Sequence, residues 1–283
     1  MYRFLLSGRW LGLLALAVAV AVACVVLGSW QWSRREQRLA RNAEVVANYD
    51  RDPVPLARAV PDPERFPAGG TWTPVEVRGE YLVDETVLVR NRNRDGVPGY
   101  HVLVPLRGED DVVLLVDRGF VTIGETGERP DEVPAPPSGV VDVVSRLRQP
   151  EPPTARPAPQ GQTLRITPAT LLPEAVDDPD AVLVTGAYGD VASETPAPAT
   201  SPLREPRPAL DEGPHLSYAL QWVVFALGAL VGFVLLARRT AEDEAADAAG
   251  GVSAPPPPPR RRRPTAEEEE DALLDAAERA RGR

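Results

Sequence analysis

The sequence predicts a membrane protein of the α+β class, in which two transmembrane helices flank a β-rich domain. Two uncharged apolar runs in the 283-residue chain predict the helices. Between the runs, several short stretches alternate apolar and polar residues, which is the pattern of half-buried strands. Turn-forming residues separate these stretches, as they do in small all-β domains.

The two apolar runs are long enough to cross a membrane as helices. No charged residue occurs in residues 10–33 or in residues 216–237. An α-helix rises about 1.5 Å per residue, so each run can span a hydrocarbon core about 30 Å thick. We predict membrane spans at 10–33 and 215–237, with a short tail at 1–9 and a disordered tail at 238–283.

The first run could instead be a cleaved signal peptide, because arginines precede it and small residues within it fit a cleavage site. The Ala23-Cys24 pair could also be read as a lipoprotein cleavage site. The run continues to Leu27, however, and Trp30 and Trp32 close it, which suits an anchor at a membrane interface. We therefore predict an uncleaved helix.

The residues alone leave the orientation of the spans open. Two spans place both termini on one side of the membrane and residues 34–215 on the other. Arginines lie on both sides, and a loop of this length escapes the rule that keeps positive charge in the cytoplasm. The distribution of arginines therefore does not decide which side is cytoplasmic.

The segment 34–190 contains six stretches that read as strands. They are residues 75–81, 86–90, 100–106, 112–116, 140–147 and 181–184. Short strands separated by turns predict a small antiparallel barrel or sandwich. Gly99 follows Pro98, so we expect Gly99 to serve a turn with unusual backbone angles.

Three further segments complete the predicted architecture. Residues 34–50 read as a polar continuation of the first helix by one or two turns. Residues 167–172 predict a short helix or turn before the last strand. Residues 191–214 are rich in Pro, Ala and Ser, which predicts a tether back to the membrane.

Composition and motif content argue against several classes of function. One cysteine excludes an internal disulfide framework and a Cys-rich metal site. The net charge of −10 argues against nucleic acid as the main partner. The sequence has no P-loop, GxSxG, HExxH or CxxC motif, so we predict that the protein is not an enzyme. His101 lies inside a predicted strand and is expected to be a hydrogen-bonded strand residue.

His215 differs from His101 because it stands at the start of the second apolar run. At 100° per residue, His215, Tyr218 and Trp222 fall on one face of a helix. Both spans meet the same aqueous boundary, so residues at the end of the first run are expected at a similar depth: Trp30, Gln31, Arg34 and Arg35. This arrangement predicts a pocket for an amphiphilic ligand. The alternative is that His215 is only a polar residue at the interface.

The chain resembles the Surfeit locus protein 1 family of cytochrome c oxidase assembly factors. Four stretches carry the resemblance: residues 27–31 with 34–35, residues 99–106, residues 116–121 and residues 215–222. Their order and their placement against the two spans also match. The sequence departs from the family at Asp117, Phe120 and Thr122, where Asn, Trp and Pro are frequent.

The resemblance implies a protein of the plasma membrane, with cytoplasmic termini and an extracytoplasmic middle domain. It implies a role in placing haem a in the catalytic subunit of cytochrome c oxidase, without turnover chemistry. The expected partners are that catalytic subunit, haem a synthase and membrane lipid. The alternative is a structural adaptor or accessory subunit of the oxidase that does not bind haem.

The haem reading assigns a role to each residue at the helix ends. His215 would ligate the iron of a transiently held haem a, because neutral imidazole is a good axial ligand. Arg34 or Arg35 would pair with the carboxylates of haem. Tyr218 and Trp222 would line the macrocycle, with Trp30 and Gln31 at the same level.

Overall fold

The computed structural model describes residues 3–248 and residue 250. The chain divides into two compact units. The helical unit consists of residues up to Trp30 and from Ser217 onward, and the barrel unit consists of Gln31–Leu216.

Two long helices account for the helical unit: the first part of α1 (Gly8–Asn48) and nearly all of α4 (His215–Ala248). Both helices are long and apolar enough to cross a membrane. Most of their apolar side chains are exposed, as expected for surfaces that face lipid. The two spans identify a membrane protein, as the sequence predicted. The predicted disordered tail begins as helix up to Ala248, and residues 251–283 lie outside the described part.

Small buried residues line the contact between α1 and α4. Ala17 and Cys24 are buried on α1, and Ala219 and Ala226 on α4, so that the helices can approach closely. Trp10 of α1 also packs edge-to-face against a phenylalanine of α4, with ring centroids 5.9 Å apart. Cys24 is therefore a small packing residue within this unit.

Besides the short helix α2 (Leu56–Ala59), the barrel unit contains eight strands among the described residues. They are β1 (Val54–Pro55), β2 (Pro74–Tyr81), β3 (Val87–Arg94), β4 (Val97–Gly108), β5 (Val112–Thr122), β6 (Val141–Arg148), β7 (Gln162–Thr163) and β8 (Val182–Thr195). Their order in the sheet is β1-β2-β6-β8-β5-β4-β3-β7, and β2 also pairs with β4. This last pairing closes β2, β6, β8, β5 and β4 into a barrel, which leaves β3, β7 and β1 outside the ring.

The barrel is not purely antiparallel, although the sequence predicted an antiparallel sheet. Strands β5 and β8 run parallel, with Val112 opposite Val182 and Asp117 opposite Asp190. Parallel neighbours require a long crossover, and here the connection contains β6 and the short helix α3 (Pro168–Ala175). Helix α3 confirms the short helix or turn predicted at 167–172 and extends it to Ala175.

Several strands extend beyond their predicted ends. Strand β5 continues through Asp117 and Arg118 to Thr122, because both charged residues are buried there and have partners in His101 and Glu194. Strand β8 continues to Thr195, past the predicted boundary at residue 190. Helix α1 continues to Asn48, which is further than the one or two turns predicted.

The polar end of α1 is fixed to the barrel by its last residues. The side-chain amide of Asn48 donates to the carbonyl oxygens of Gly69 and Thr71, at 2.7 Å and 2.9 Å. Arg146 of β6 stacks on the ring of Tyr49, with its guanidinium carbon 3.8 Å from the ring centroid. These contacts make residues 31–48 part of the barrel unit.

Gly99 lies in β4 and does not adopt the turn geometry that the sequence predicted. Its φ is not in the positive range; the glycine instead permits a close approach between strands. An added Cβ would collide with the carbonyl oxygen of Val121 and lie 2.5 Å from the ring of Phe120. The space beside Gly99 is thus already occupied by β5.

We predict that Gly99→Val lowers the free energy of unfolding by about 1–3 kcal/mol, because overpacking forces β4 and β5 apart. The thermal unfolding midpoint of the full chain in neutral detergent measures this effect. Gly108→Ala, on the same strand as Gly99, is the control. Its added Cβ would lie 3.4 Å or more from the nearest atoms of the neighbouring strands. Equal midpoints for Gly99→Val and wild type would contradict the prediction.

Candidate functional site

Four of the residues singled out in the sequence lie in two polar clusters of the barrel unit: Gln31, Arg35, His101 and His215. The helix-end cluster consists of Gln31, Arg35, Glu212 and His215. The strap cluster consists of His101, Asp117, Asp190 and Glu205, where the strap is the segment 196–214 between β8 and α4. The strap supplies acidic residues to both clusters.

His215 is held by a hydrogen bond to Gln31 of helix α1. Its Nδ1 lies 3.0 Å from Oε1 of Gln31. An amide oxygen can only accept, so Nδ1 carries the proton and donates it. Nε2 is then the nitrogen with the free lone pair, which is able to bind a metal or accept a proton.

Gly213 keeps the Nε2 edge of His215 uncrowded. Gly213 has a φ of 66°, which favours glycine, and its position brings the backbone close to the imidazole. A Cβ at this residue would lie 3.3 Å from Cδ2 and 3.4 Å from Nε2 of His215. Any larger residue at 213 would occupy space beside the nitrogen with the lone pair.

Two arginines of α1 form ion pairs with the end of the strap. Arg35 binds Glu212 at 2.9 Å, and Arg38 binds Asp211 at 2.9 Å. The Nε atom of Arg35 is buried and has no hydrogen-bond partner among the described residues. Gln31 and Arg35 are four residues apart on α1, so residues 212–215 run alongside one face of that helix.

The remaining residues predicted for this site lie elsewhere on the same two helices. Arg34 is exposed on α1 and belongs to the barrel unit. Trp30, Tyr218 and Trp222 belong to the helical unit, where Trp222 packs edge-to-face on Phe225 with centroids 5.9 Å apart. The structure therefore brings Gln31, Arg35 and His215 together within one unit.

The strap cluster joins two of the sequence motifs to the strap. His101 of β4 is a hydrogen-bonded strand residue, as predicted: its Nδ1 lies 2.6 Å from Oδ2 of Asp117 on β5. Its Nε2 lies 3.3 Å from the carboxylate of Glu205 in the strap. The backbones of Phe120 and Leu203 also exchange two hydrogen bonds of 2.8 Å. The segment predicted as a tether is thus bonded to the barrel.

The charges around His101 shift its protonation equilibrium and that of its neighbours. Burial by itself lowers the pKa of His101, but the hydrogen bonds with Asp117 and Glu205 outweigh it and raise the pKa to about 9. The hydrogen bond with His101 lowers the pKa of Glu205. Burial raises the pKa of Asp190 to about 7, with the charge of Asp117 adding to the effect and Arg148 opposing it.

A buried ion pair lies inside the barrel next to this cluster. Nε of Arg118 donates to Oε1 of Glu194 at 2.9 Å, and neither side chain is accessible to solvent. The hydroxyl of Tyr81 donates to the same oxygen at 2.9 Å. Nη1 of Arg118 donates to the carbonyl oxygen of Pro134 at 2.6 Å. These groups satisfy one another, so they serve the architecture of the barrel.

Neither cluster is arranged as a metal centre built by protein ligands. In the range 3–248, no group of three or more His, Cys, Asp or Glu residues is arranged to hold a metal ion. His101 has both nitrogens engaged with carboxylates, whereas His215 has one nitrogen engaged. His215 is therefore the histidine with a basic nitrogen available to a ligand.

Sequence patterns gave no indication of Asp190, Glu194 or Glu205 as site residues. Asp190 and Glu194 lie beyond the stretch predicted as the last strand, and Glu205 lies among prolines. Their importance comes from parallel pairing of β8 with β5 and from docking of the strap. Neither feature produces a regular spacing of apolar residues that could be recognised in the sequence.

Comparison with known proteins identifies the family. The model of the SURF1 family matches residues 18–227. The chain belongs to the SURF1 family. This is the family of cytochrome oxidase assembly factors, and the match includes both polar clusters. Uncharacterised SURF1-like proteins of Mycobacterium bovis and Mycobacterium tuberculosis are each 30% identical over 243 residues, which is 81% of this chain and 83% of each relative.

We predict that the stability of this SURF1 family member falls as the pH rises from 6.5 to about 9. A histidine whose pKa is raised on folding contributes stability fully below its unfolded value of 6.5, and this is lost as the pH passes about 9. The expected loss is about 1–3 kcal/mol. Unfolding midpoints of the full chain across this range measure it.

In the His101→Gln variant, the unfolding midpoint should change less with pH between 6.5 and about 9. The raised pKa of Asp190 should add a separate loss of stability as the pH rises from about 4 to 7, because the buried carboxyl must then ionise. Asp190→Asn should remove that loss and keep the fall that His101 causes up to about pH 9. A wild-type midpoint that stays constant from 6.5 to 9 would show that His101 is not held by its two carboxylates.

Proposed function

We propose that this protein is a membrane-anchored assembly factor that holds haem a transiently at His215 and assists its insertion into the catalytic subunit of cytochrome c oxidase. Membership of the SURF1 family supports the oxidase as the target. The hydrogen bond between His215 and Gln31 is the observation that carries the haem part of the proposal. The proposed partners are the catalytic subunit and haem a synthase.

The residues around His215 fit an axial ligand of haem iron. An imidazole whose Nδ1–H donates to a fixed acceptor keeps its ring orientation and offers Nε2 to a metal. Gly213 leaves the Nε2 edge free of a Cβ atom. Haem, when bound, supplies an iron atom and carboxylates, and the residues of this chain hold and orient it.

The arginines next to Gln31 are the proposed partners of those carboxylates. Arg35 would exchange Glu212 for a carboxylate of the ligand or use its Nε atom, which has no acceptor in the described range. Arg34 is exposed on the same helix and can reach solvent.

The sequence also assigned three aromatic residues of the helical unit to the proposal. Tyr218 and Trp222 follow His215 on α4, and Trp30 precedes Gln31 on α1. Aromatic and apolar side chains line most sites for cofactors, because they remove apolar surface of the ligand from water. We keep Trp30, Tyr218 and Trp222 as proposed contacts of the ring system.

We propose that the protein carries out no turnover chemistry. The alternative function is a structural adaptor or accessory subunit of the oxidase that does not bind haem. The ion pairs of Arg35 and Arg38 with Glu212 and Asp211 favour that alternative, because both arginines are already neutralised. The two functions differ in whether removal of His215 changes the haem content.

We predict that His215→Ala abolishes co-purification of haem a while the protein still accumulates in the membrane. The protein would be purified in neutral detergent from cells that synthesise haem a, and haem would be measured by its absorption spectrum. Loss of the imidazole removes the axial ligand, so haem content should fall about tenfold or more. The catalytic subunit should then contain less haem a.

His101→Gln is the matched control, because it replaces the other histidine and leaves His215 intact. Gln31→Ala should weaken haem binding less than His215→Ala, since it frees the ring without removing it. Wild-type haem content and oxidase activity in His215→Ala cells would reject haem binding at this residue and favour the adaptor function.

We further propose that the protein resides in the plasma membrane with its barrel unit outside the cytoplasm. Two spans support a topology in which the barrel unit lies on one side of the membrane and both termini lie on the other. Ser138 is an exposed residue of the barrel unit, and Ala246 is an exposed residue beyond the apolar run of α4. Together they provide one position for each side of the membrane.

In a Cys24→Ala background, we predict that Ser138→Cys reacts with a membrane-impermeant maleimide in intact cells and Ala246→Cys does not. A barrel unit outside the cytoplasm is the physical reason, because the charged reagent does not cross the bilayer. Permeabilised cells, in which both thiols should react, are the control. Labelling of Ala246→Cys alone in intact cells would reverse the topology.

A further inference from the structure

A groove beside strand β3 is lined by an unusual concentration of positive charge. Its volume is about 430 Å³, and its lining includes Asn91, Thr154 and Leu164. Four arginines line it, two from β3 and two from the segment between β6 and α3: Arg90, Arg92, Arg156 and Arg165. We call this feature the arginine groove; it lies wholly within the barrel unit.

The acidic residues nearby do not balance these charges. Glu151 is shared: it binds Arg92 at 2.7 Å and lies 3.9 Å from Arg165. It also accepts a hydrogen bond from the backbone N–H of Ile166 at 3.2 Å. The four positive charges of the groove therefore outnumber the one negative charge of Glu151.

Two arginines of the groove are left without acidic partners. Within residues 3–248, neither the guanidinium of Arg90 nor that of Arg156 forms a hydrogen bond or ion pair. The Nε atom of Arg92 is buried and also lacks a hydrogen-bond acceptor. An anion that accepts from these groups would relieve their mutual repulsion and satisfy the buried donor.

The backbone on both sides of the groove is constrained. The pairing of β3 with β4 shifts register between Val89 and Arg92, and Asn91 at the bulge has a φ of 61°. Bulges re-aim side chains and occur often beside binding sites. The opposite wall is the proline-rich stretch that follows β6, in which Pro150 and Pro152 flank Glu151. These constraints reduce the entropy lost when a ligand binds.

We propose that the arginine groove binds a phosphate group carried by a small molecule or by a lipid headgroup. Planar guanidinium groups match phosphate oxygens with paired hydrogen bonds. Phosphate offers more acceptor oxygens than a carboxylate and carries up to two negative charges, which suits several converging arginines. The groove has the volume of a small-molecule site, so it also admits the organic part attached to the phosphate.

Two probes applied to the full chain in neutral detergent test the proposal and distinguish its sources. Inorganic phosphate, titrated by calorimetry, represents the free ligand. Phosphatidylglycerol, added to the micelles and followed by the unfolding midpoint, represents the anionic headgroup, with phosphatidylcholine as the zwitterionic reference. Binding of either probe should weaken as salt is added, because the contacts are electrostatic.

The groove variant combines Arg90→Gln and Arg156→Gln, neither of which removes an ion pair from the described structure. We expect it to weaken binding by about tenfold or more, the effect of losing charge-assisted hydrogen bonds. The control variant combines Arg58→Gln and Arg65→Gln, which are exposed arginines outside the groove. It should bind as the wild type does.

Glu151→Gln provides a gain of binding that misfolding cannot imitate. It removes the competing carboxylate from Arg92 and Arg165 while keeping an oxygen for the N–H of Ile166. Affinity for the bound probe should rise severalfold.

Each outcome decides the proposal. A loss confined to inorganic phosphate in the groove variant identifies a free phosphate ligand, and a loss confined to phosphatidylglycerol identifies a headgroup; both support the site. Absence of binding of either probe to the wild type, or equal binding by the groove and control variants, overturns it. The proposal does not depend on haem binding at His215, because the test uses neither haem nor His215.

Discussion

The ion pair between Arg118 and Glu194 is the contact on which the barrel depends. It joins the parallel strands β5 and β8 in a place that water does not reach, and Tyr81 adds a hydrogen bond from β2. A buried charge that loses its partner is strongly destabilising, whereas a complete network is tolerated. Arg204 of the strap also lies 3.8 Å from Glu194. The buried charges of Arg118 and Glu194 therefore have all their partners only when the barrel is closed and the strap is docked.

The strap connects the two polar clusters because both take acidic residues from it. Glu205 meets His101 in the middle of the strap, and Glu212 meets Arg35 near its end. His215 follows soon after and begins α4. The backbone of the strap is also hydrogen-bonded to β5 at Leu203. The strap is accordingly held within the barrel unit at Leu203, Glu205 and Glu212.

The sequence predicted those parts of the fold that a regular pattern of apolar residues marks. Strands with alternating residues and helices with long apolar runs were found where they were expected. The continuation of β5 was missed because Asp117 and Arg118 look like surface residues until β8 is placed beside them. The parallel pairing was missed for the same reason: register between strands distant in the chain depends on which side chains fill the interior.

The candidate site was predictable to the extent that it depends on helix geometry. Gln31 and His215 were expected at one depth from the positions of the apolar runs, and they are in contact in the structure. Glu212 and Gly213 were not recognised, because their roles come from the path of the strap. The arginine groove was not recognised either, since its residues come from separate segments and meet only through the bulge in β3.

The parallel pairing of β5 with β8 has a consequence for the order of events during synthesis. Strand β8 is the last strand of the barrel to be made, and the strap follows it directly. Until residue 194 emerges, Arg118 has no carboxylate to accept its charge, and β5 and β6 each lack a neighbour. Non-local pairing of this kind delays folding and exposes strand edges in the meantime. The barrel therefore becomes complete only as the second membrane span is about to be synthesised, which ties maturation of the domain to completion of the anchor.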